Sequence, residues 1–531
     1  MQFNITYKIS LLLACVLLFG ASLIGQEQKV AVFLKDKPQN EFNPYEYFDQ
    51  KAIERRIKHG LPLYNETDLP LNSNYVSKIG ENVISVKGAS RWLNVVFVYA
   101  TSEQIEFLKG LEFVKKLQLM TPAEKSLSSK NVILEPAKSL IKKQVNRLGY
   151  EYFKNEGIDG AGVRVAVFDA GFPYVNEHEA FDHLRSNNRI LKTYDFVAKK
   201  EDVYGKSSHG AMCLSNITGI SPEGPLGLAT GAEFLLARTE RGLLEPFSEE
   251  ENWLMAAEWA DKNGADIISS SLGYTKKRYE TSEMDGKTSF VAEAARFATR
   301  KGMLVVNAAG NEGTGEWKTL GTPADVDSVL TVGGVHPKTD YHAGFSSYGP
   351  NANKQLKPNV VAYGLAAVAG KNQSYKMVSG TSFATPLVAG FAACVMQQYP
   401  ELTNMEVFKL IEKSAHLYPY FDYAHGFGIP QADAILNLKE PVQPTFKLFK
   451  EEGTYTVEVN EMPEEKPTFK SDEYMYYHFE NNSGYLSKYY VIKVEEKQPL
   501  NLFKDEFEPY DVLRIHYRGY TITKDLKAIQ Q

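Results

Sequence analysis

The feature that most limits what this chain can fold into is a series of short, nearly continuous apolar runs between residues 142 and 438, alternating with helical patterns. Residues 163–168, 232–237, 266–269 and 303–306 are such runs, mostly apolar on both alternating faces. A strand apolar on both faces must be covered on both faces, which calls for a parallel sheet between helical layers. The intervening segments supply those layers. Residues 253–260 read as a helix stopped by Gly264, and residues 290–299 as another. About 300 residues suffice for one large core, so the expectation here is a single α/β domain.

The flanks differ in texture. Residues 28 to about 120 give strand, helix and strand in turn, a small α+β pattern. Residues 29–33 and 93–99 read as strands, and Ala52, Ile53 and Ile57 fall on one face of a helix. Thr101 with Gln104 fits a capping box ahead of Ile105, Leu108 and Leu111, and residues 113–117 form the next strand. Residues 121 to about 140 are polar and Lys-rich, a linker. From Pro441 onward, alternating Tyr-rich runs at 455–459, 474–479, 489–494, 512–517 and 520–523 predict a small antiparallel β domain. At the start, Lys8 precedes an apolar run from Ile9 that continues to Gly25, the pattern of a secretory signal peptide cut near Gly25 or Gln26. A membrane anchor is the rival reading, but a run of about 17 residues is at the lower limit for spanning. A lipoprotein would use Cys15, yet the apolar run continues past it.

Charge and cysteine content remove several function classes. The formal net charge of −6 argues against a general nucleic-acid binder. Three cysteines, Cys15, Cys213 and Cys394, exclude a disulfide-dense scaffold and a zinc site built from several thiolates. Cys213 and Cys394 sit in sequence contexts that predict burial, and their pairing is left open.

Four segments carry polar residues where an α/β sheet puts its chemistry. Val165–Ala166–Val167–Phe168–Asp169–Ala170–Gly171 is an apolar strand ending in an acid, at the strand end where such sheets place their sites. His209–Gly210–Ala211–Met212 opens an apolar helical pattern. Asn307–Ala308–Ala309–Gly310–Asn311–Glu312–Gly313 directly follows the run at 303–306. Ser379–Gly380–Thr381–Ser382–Phe383–Ala384–Thr385–Pro386 opens a long apolar helix. Taken singly, each reads as a turn, a cap or a loop. Together they run Asp, His, Ser, the order of one known arrangement of the serine triad.

With these residues in place, the chain resembles the subtilisin-like serine endopeptidases, over roughly residues 142 to 438. Gly380–Thr381–Ser382–Phe383–Ala384–Thr385–Pro386 matches the family's serine signature at every fixed position. Ser271–Leu272–Gly273 resembles its substrate-aligning segment, Phe345–Ser346–Ser347–Tyr348–Gly349–Pro350 a structural loop, and Gly426–Phe427–Gly428–Ile429–Pro430 the close of its domain. The resemblance implies a three-layer subtilisin-like fold with a mostly parallel central sheet. It adds a small α+β propeptide domain in front, and the C-terminal antiparallel β domain follows. The expected boundaries are a signal peptide at 1–26, a propeptide with linker at 27–138, a catalytic domain at 139–440 and a β accessory domain at 441–531. A permanent accessory domain is the alternative for 27–138.

The implied roles agree with elementary chemistry. A serine hydroxyl needs an adjacent base to become a nucleophile. Ser382 is the expected nucleophile, His209 the base and then the acid, and Asp169 the group that fixes the imidazole tautomer. Ser382 at a helix N-terminus lies among orphan backbone N–H groups, and its own can donate to the developing oxyanion. Asn311 is the expected second oxyanion donor. Asn307 is its nearest rival, but the family pattern places the donor after the Ala-Gly pair. The resemblance assigns substrate contact to Ser271, Leu272, Gly273, Ala309 and Gly310. Glu312 raises the expectation of a basic residue before the scissile bond.

There are departures from the family pattern. Ala170 stands where Thr or Ser is usual, Ala211 where Thr is usual, and Asn359 and Tyr363 replace the more frequent Asp and Pro. No catalytic group is lost. No metal ligand is assigned and no cofactor is required. The resemblance allows structural calcium, but no segment matches an oxygen-ligand loop. The expected partners are protein or peptide substrates and the chain's own propeptide as intramolecular inhibitor, with no nucleic acid and no stable membrane anchor. Export follows from the signal, to the periplasm, cell surface or medium.

Overall fold

The computed structural model describes residues 27–38, 41–120, 138–241, 247–276, 278–438, 442–451, 454–460, 469–481, 483–494, 500–502 and 510–526. The expected signal peptide and nearly all of the linker lie outside them. The chain divides into two compact units: the described residues of Met1–Pro44 with Pro62–Pro122, and those of Tyr45–Leu61 with Ala123–Gln531.

The first unit is an antiparallel four-stranded sheet in the order β2-β3-β1-β4. Its strands are β1 (Gln28–Leu34), β2 (Ser85–Ser90), β3 (Val95–Ala100) and β4 (Val114–Leu119). The chain between β1 and β2 contains helix α1 (Gln50–Lys58), which belongs to the second unit. Helices α2 (Ser73–Gly80) and α3 (Ser102–Lys109) belong to the first. Ile79 from α2 and Ile105 and Leu108 from α3 share a core with Val30, Val32, Val96 and Val98. The expected capping box is present: Thr101 accepts from the Gln104 N–H, and the Gln104 side chain accepts from the Thr101 N–H.

The second unit is built on a parallel seven-stranded sheet. Its strands are β5 (Arg164–Asp169), β6 (Ile190–Asp195), β7 (Glu233–Arg238), β8 (Ile267–Ser270), β9 (Leu304–Ala308), β10 (Leu330–Val335) and β11 (Val360–Tyr363). The spatial order is β11-β10-β9-β8-β5-β7-β6. From β5 the chain goes to the edge as β6, returns between the two as β7, then crosses to β8 on the far side of β5 and builds outward through β9 and β10 to β11. This reversal between β5 and β8 is the switch point where open α/β sheets form their sites.

Helices α4 (His209–Thr218), α5 (Ser248–Lys262), α6 (Phe290–Arg300) and α7 (Thr381–Gln398) supply the layers. Gly264, at φ +72°, ends the α5 turn as expected. Helix α7 is buried almost all round, packing on β8 to β11 and on α4. Its apolar residues need no amphipathic pattern because no face meets water. A hairpin of β12 (Leu365–Ala369) and β13 (Tyr375–Ser379) leads directly into it.

The C-terminal region is antiparallel, as its alternation predicts. It has a three-stranded sheet, β14 (Phe446–Glu451), β15 (Thr454–Val459) and β18 (Leu500–Leu502). A four-stranded sheet follows, in the order β17 (Leu486–Lys493), β16 (Tyr474–Glu480), β19 (Val512–Tyr517) and β20 (Tyr520–Asp525). Phe446, Tyr455, Met475, Phe479, Leu513 and Ile515 form its own core. Its Tyr-rich strands are thus largely core. The region is fixed to the residues before it by polar contacts: the buried His478 meets the Phe421 carbonyl through Nδ1 at 2.6 Å, and in an exposed contact Arg514 donates to the Pro419 carbonyl at 2.7 Å.

One helix face differs from its expectation. Ala52 and Ile53 are buried, but Ile57 is 63% exposed, while Arg55 and Arg56 are 2% and 1% exposed. The helix turns its charged side inward because a buried carboxylate, Asp261, receives both guanidinium groups. Ion pairing overrides the apolar pattern.

Candidate active site

The four chemical segments converge at the carboxyl ends of the central strands. Asp169 is the last residue of β5 and is 1% exposed. His209 opens α4. Its Nδ1 lies 2.9 Å from each oxygen of the Asp169 carboxylate. Asp169 Oδ1 also accepts the Ala170 backbone N–H at 2.7 Å. With Nδ1 engaged, Nε2 is the nitrogen left for a reacting proton. The approach of α4 to β5 requires glycine at 210. A Cβ there would stand 2.5 Å from the Gly171 carbonyl oxygen and 2.8 Å from the Asp169 Cβ.

Ser382 occupies the first turn of α7 and is 8% exposed, and the His209 side chain is 26% exposed. The imidazole stands beside this helix start, with its ring centroid 5.5 Å from that of Phe383. The Ser382 hydroxyl donates to the Ser271 carbonyl at 3.3 Å rather than to His209. Such serine–imidazole bonds commonly tighten only when substrate is bound.

Pro386 explains how Ser382 is held. It is four residues beyond Ser382 inside α7 and has no N–H, so the Ser382 carbonyl lacks its intrahelical donor. That carbonyl accepts instead from Ser271 Oγ at 2.9 Å and from Cys213 Sγ at 3.3 Å. Cys213 also lies 3.7 Å from His209 Nδ1, one helical turn along α4. It thus touches both His209 and the Ser382 segment. The sequence reading predicted its burial but missed this role; the spacing from His209 was the available signal. Both Cys213 and Cys394 are buried and free.

Asn311 and Asn307 separate clearly. Asn307 is fully buried, and its amide nitrogen donates to the Leu272 and Ala308 carbonyls at 3.0 and 2.9 Å. Asn311 accepts at Oδ1 from the Thr381 N–H at 2.9 Å and from its hydroxyl at 3.1 Å. This fixes the amide so that Nδ2, which makes no hydrogen bond among the described residues, is the free donor. Thr381, also missed as a separate functional residue, further accepts the Gly310 N–H at 3.3 Å.

Ser271, Leu272 and Gly273 follow β8, and Ala309 and Gly310 follow β9, its neighbour in the sheet. Gly310 has φ +112°, a conformation that favours glycine. Glu312 follows Asn311 and forms no ion pair among the described residues. Of the departures, Ala170 and Ala211 are buried beside the acid and the base. Asn359 donates to Glu412 at 2.8 Å and accepts from the Thr331 N–H at 2.9 Å and Lys357 at 3.0 Å. A carboxylate in its place would face Glu412. Tyr363 ends β11, buried.

Electrostatics bias the imidazole toward its charged form. Burial opposes the imidazolium, but the Asp169 carboxylate outweighs it and holds the His209 pKa well above the usual 6.5. Burial pushes the Cys213 thiol up to about 11, so it is neutral in the neutral range. Asp169, His209 and Cys213 are also the one group of at least three His, Cys, Asp or Glu side chains among the described residues close enough to share a metal ion. No helix among the described residues is long and apolar enough to cross a membrane.

Comparison with known proteins adds a decisive match. The model of the subtilase family matches residues 160–428, half of the chain, and spans all four segments. The chain belongs to the subtilase family. As a subtilase it is a serine endopeptidase, and the family's Bacteroidota propeptide domain matches residues 29–134. Serine protease AprX of Bacillus subtilis (strain 168) is 30% identical over 284 residues, which cover 48% of this chain and 61% of that protein. Subtilisin NAT of Bacillus subtilis subsp. natto is 28% identical over 360 residues, 67% of this chain and 85% of the relative. A subtilisin of Bacillus pumilus is 30% identical over 286 residues, 53% of this chain and 94% of the relative.

Proposed function

We propose that this subtilase hydrolyses peptide bonds through Asp169, His209 and Ser382, and that it is exported as a zymogen that cuts its own linker. Ser382 Oγ attacks the scissile carbonyl carbon as its proton passes to His209 Nε2. The C–N bond breaks as that proton is delivered to the leaving amine. Water then attacks the acyl ester, with His209 again taking and returning a proton. Asp169 holds the imidazole in the tautomer with Nδ1 protonated and stabilises the imidazolium. The Ser382 N–H and Asn311 Nδ2 receive the negative charge that develops on the carbonyl oxygen.

The observation that carries this reading is the bridging of His209 Nδ1 by both Asp169 oxygens at 2.9 Å, with the ring beside the start of α7. In the same reading, residues 271–273 and 309–310 line the peptide, Glu312 favours a basic side chain before the scissile bond, and the propeptide blocks the enzyme until maturation. A peptide-binding protein that does not cut is the second reading. It is favoured by the Ser382 hydroxyl bonding to Ser271 instead of His209.

The intact mass of secreted wild type beside Ser382→Ala tests the proposal, with cleavage of added peptides as a second readout. Wild type trimmed within residues 121–140, with the variant untrimmed and inactive, supports self-processing. Trimming of both moves maturation to another protease and leaves peptide cleavage to decide. Untrimmed, inactive wild type favours the binder.

A further inference from the structure

Helix α1 lies within the stretch matched by the propeptide family, yet it belongs to the same compact unit as the catalytic sheet. Its seat is the amino-terminal end of the sheet. Arg164 begins β5 and Asp169 ends it, so this seat and the catalytic acid are separated by the length of one strand, roughly 16 Å.

The contacts are specific. Asp49 caps α1, and its N–H donates to the Lys262 carbonyl at 2.9 Å while its carboxylate pairs with Arg164 at 3.0 Å. Lys51 pairs with Asp266 at 2.8 Å. Arg55 donates to the carbonyls of Lys301 and Ala265 and to Asp261 Oδ1, and Arg56 donates to Asp261 Oδ2 at 2.7 Å. The guanidinium of Arg56 also covers the Phe48 ring at 3.9 Å.

Asp261 lies in the last turn of α5, where an acid opposes the helix dipole. It is 1% exposed, and two arginines saturate its oxygens. Lys301, whose carbonyl Arg55 also takes, is the C-cap of α6. The two helix C-termini and one buried carboxylate thus make a negative socket matched to a basic helix. The fit is close: a Cβ at Gly264 would stand 2.9 Å from the Lys51 Cβ and 3.1 Å from the Ala52 nitrogen, and one at Gly302 3.1 Å from the His59 ring.

We propose that Tyr45–Leu61 is a plug seated in this socket, and that it keeps the propeptide bound to the catalytic domain after the linker is cut, at a place substrate does not compete for. Withdrawing the plug would break both ion pairs of Asp261, with Arg55 and with Arg56, at the end of α5. The inference rests on the proposed maturation only in taking the linker to be cut.

The test uses full-length Ser382→Ala with the cleavage sequence of an unrelated protease placed within residues 123–136. After cutting, gel filtration at nanomolar concentration follows whether the N-terminal fragment stays with the rest, with and without an excess of casein peptides. The fragment is expected to co-elute under both conditions, and to separate at least about tenfold faster in Arg55→Ala/Arg56→Ala. Separation of the parent on cutting, release by casein peptides, or equal rates in parent and variant would overturn the proposal. Hydrogen exchange of residues 50–58 in the cut parent needs no variant: protection should match the uncut protein, and its loss also overturns the plug. Wild type that never cuts its own linker refutes self-processing alone, because here another protease makes the cut.

Discussion

Ser271 and Ser382 bond each other in both directions: Ser271 Oγ donates to the Ser382 carbonyl at 2.9 Å, and Ser382 Oγ donates to the Ser271 carbonyl at 3.3 Å. The first bond exists because Pro386 withholds the intrahelical donor. The second parks the nucleophile against the segment expected to align substrate. Ser271→Ala should cost about 1 kcal/mol of stability and lower kcat more than it raises KM. Pro386→Ala restores a competing N–H and should lower kcat in the same way. Steady-state kinetics with a peptide substrate and urea unfolding check both, and unchanged kinetics in both variants would contradict a positioning role.

The two asparagines should behave differently. Loss of such an oxyanion donor in a subtilisin costs about 10²–10³ in kcat, and Asn311→Ala is expected to do the same with little change in KM. Asn307→Ala breaks buried bonds to Leu272 and Ala308, so its main effect should be a lowered melting temperature.

The raised His209 pKa has a definite sign in solution. The reaction needs the neutral imidazole, so kcat/KM should fall on acidification with a midpoint above 6.5. Asp169→Asn removes the counter-charge, should move that midpoint down, and should lower kcat by about 10⁴. For folding, the Asp169–His209 pair contributes stability fully present below the unfolded value near 6.5 and lost as pH rises through the folded pKa. A pH–rate profile of both proteins checks the shift.

Gly210→Ala pushes a methyl group into the Gly171 carbonyl and the Asp169 Cβ. It should destabilise the fold by about 1–3 kcal/mol and displace His209 from its acid, lowering kcat sharply. Gly205→Ala is the control, since a Cβ there meets nothing within 4 Å. Equal melting temperatures for the two variants would count against this packing argument.

Asn359→Asp sets a carboxylate against Glu412, which is 5% exposed. The Lys357 ammonium, 3.0 Å from Asn359 Oδ1, offsets part of this repulsion, so a net loss of about 1 kcal/mol is expected at neutral pH, relieved by adding Glu412→Gln. Denaturant titration of the single and double variants measures the coupling directly.

Much of this was legible in the chain. The apolar runs at 163–168, 232–237 and 303–306 became β5, β7 and β9 within one or two residues, because a strand covered on both faces has little choice of composition. The Thr101–Gln104 capping box and the Gly264 stop were equally local and equally readable. Strands β10 and β11, the β12–β13 hairpin and β14 were not anticipated. In β10 and β12 small residues, Gly333, Gly334, Ala366 and Ala367, carry weak strand preference, and these strands are set by their pairing with β11 and β13.

By itself, then, the sequence determined the alternation that demands a covered parallel sheet, the order of Asp169, His209 and Ser382, and the serine signature with its proline. Tertiary structure alone decided which asparagine is free to donate, where the Ser382 hydroxyl points, that Cys213 bridges the His209 and Ser382 segments, and that Arg55 and Arg56 are buried while Ile57 is exposed. The physical reason is range. Backbone propensity and apolar periodicity act over a few residues and survive in any context. Hydrogen-bond partners and buried charges are settled by groups far apart in the chain, as Arg55 and Asp261 are, and such choices exist only once the fold has brought them together.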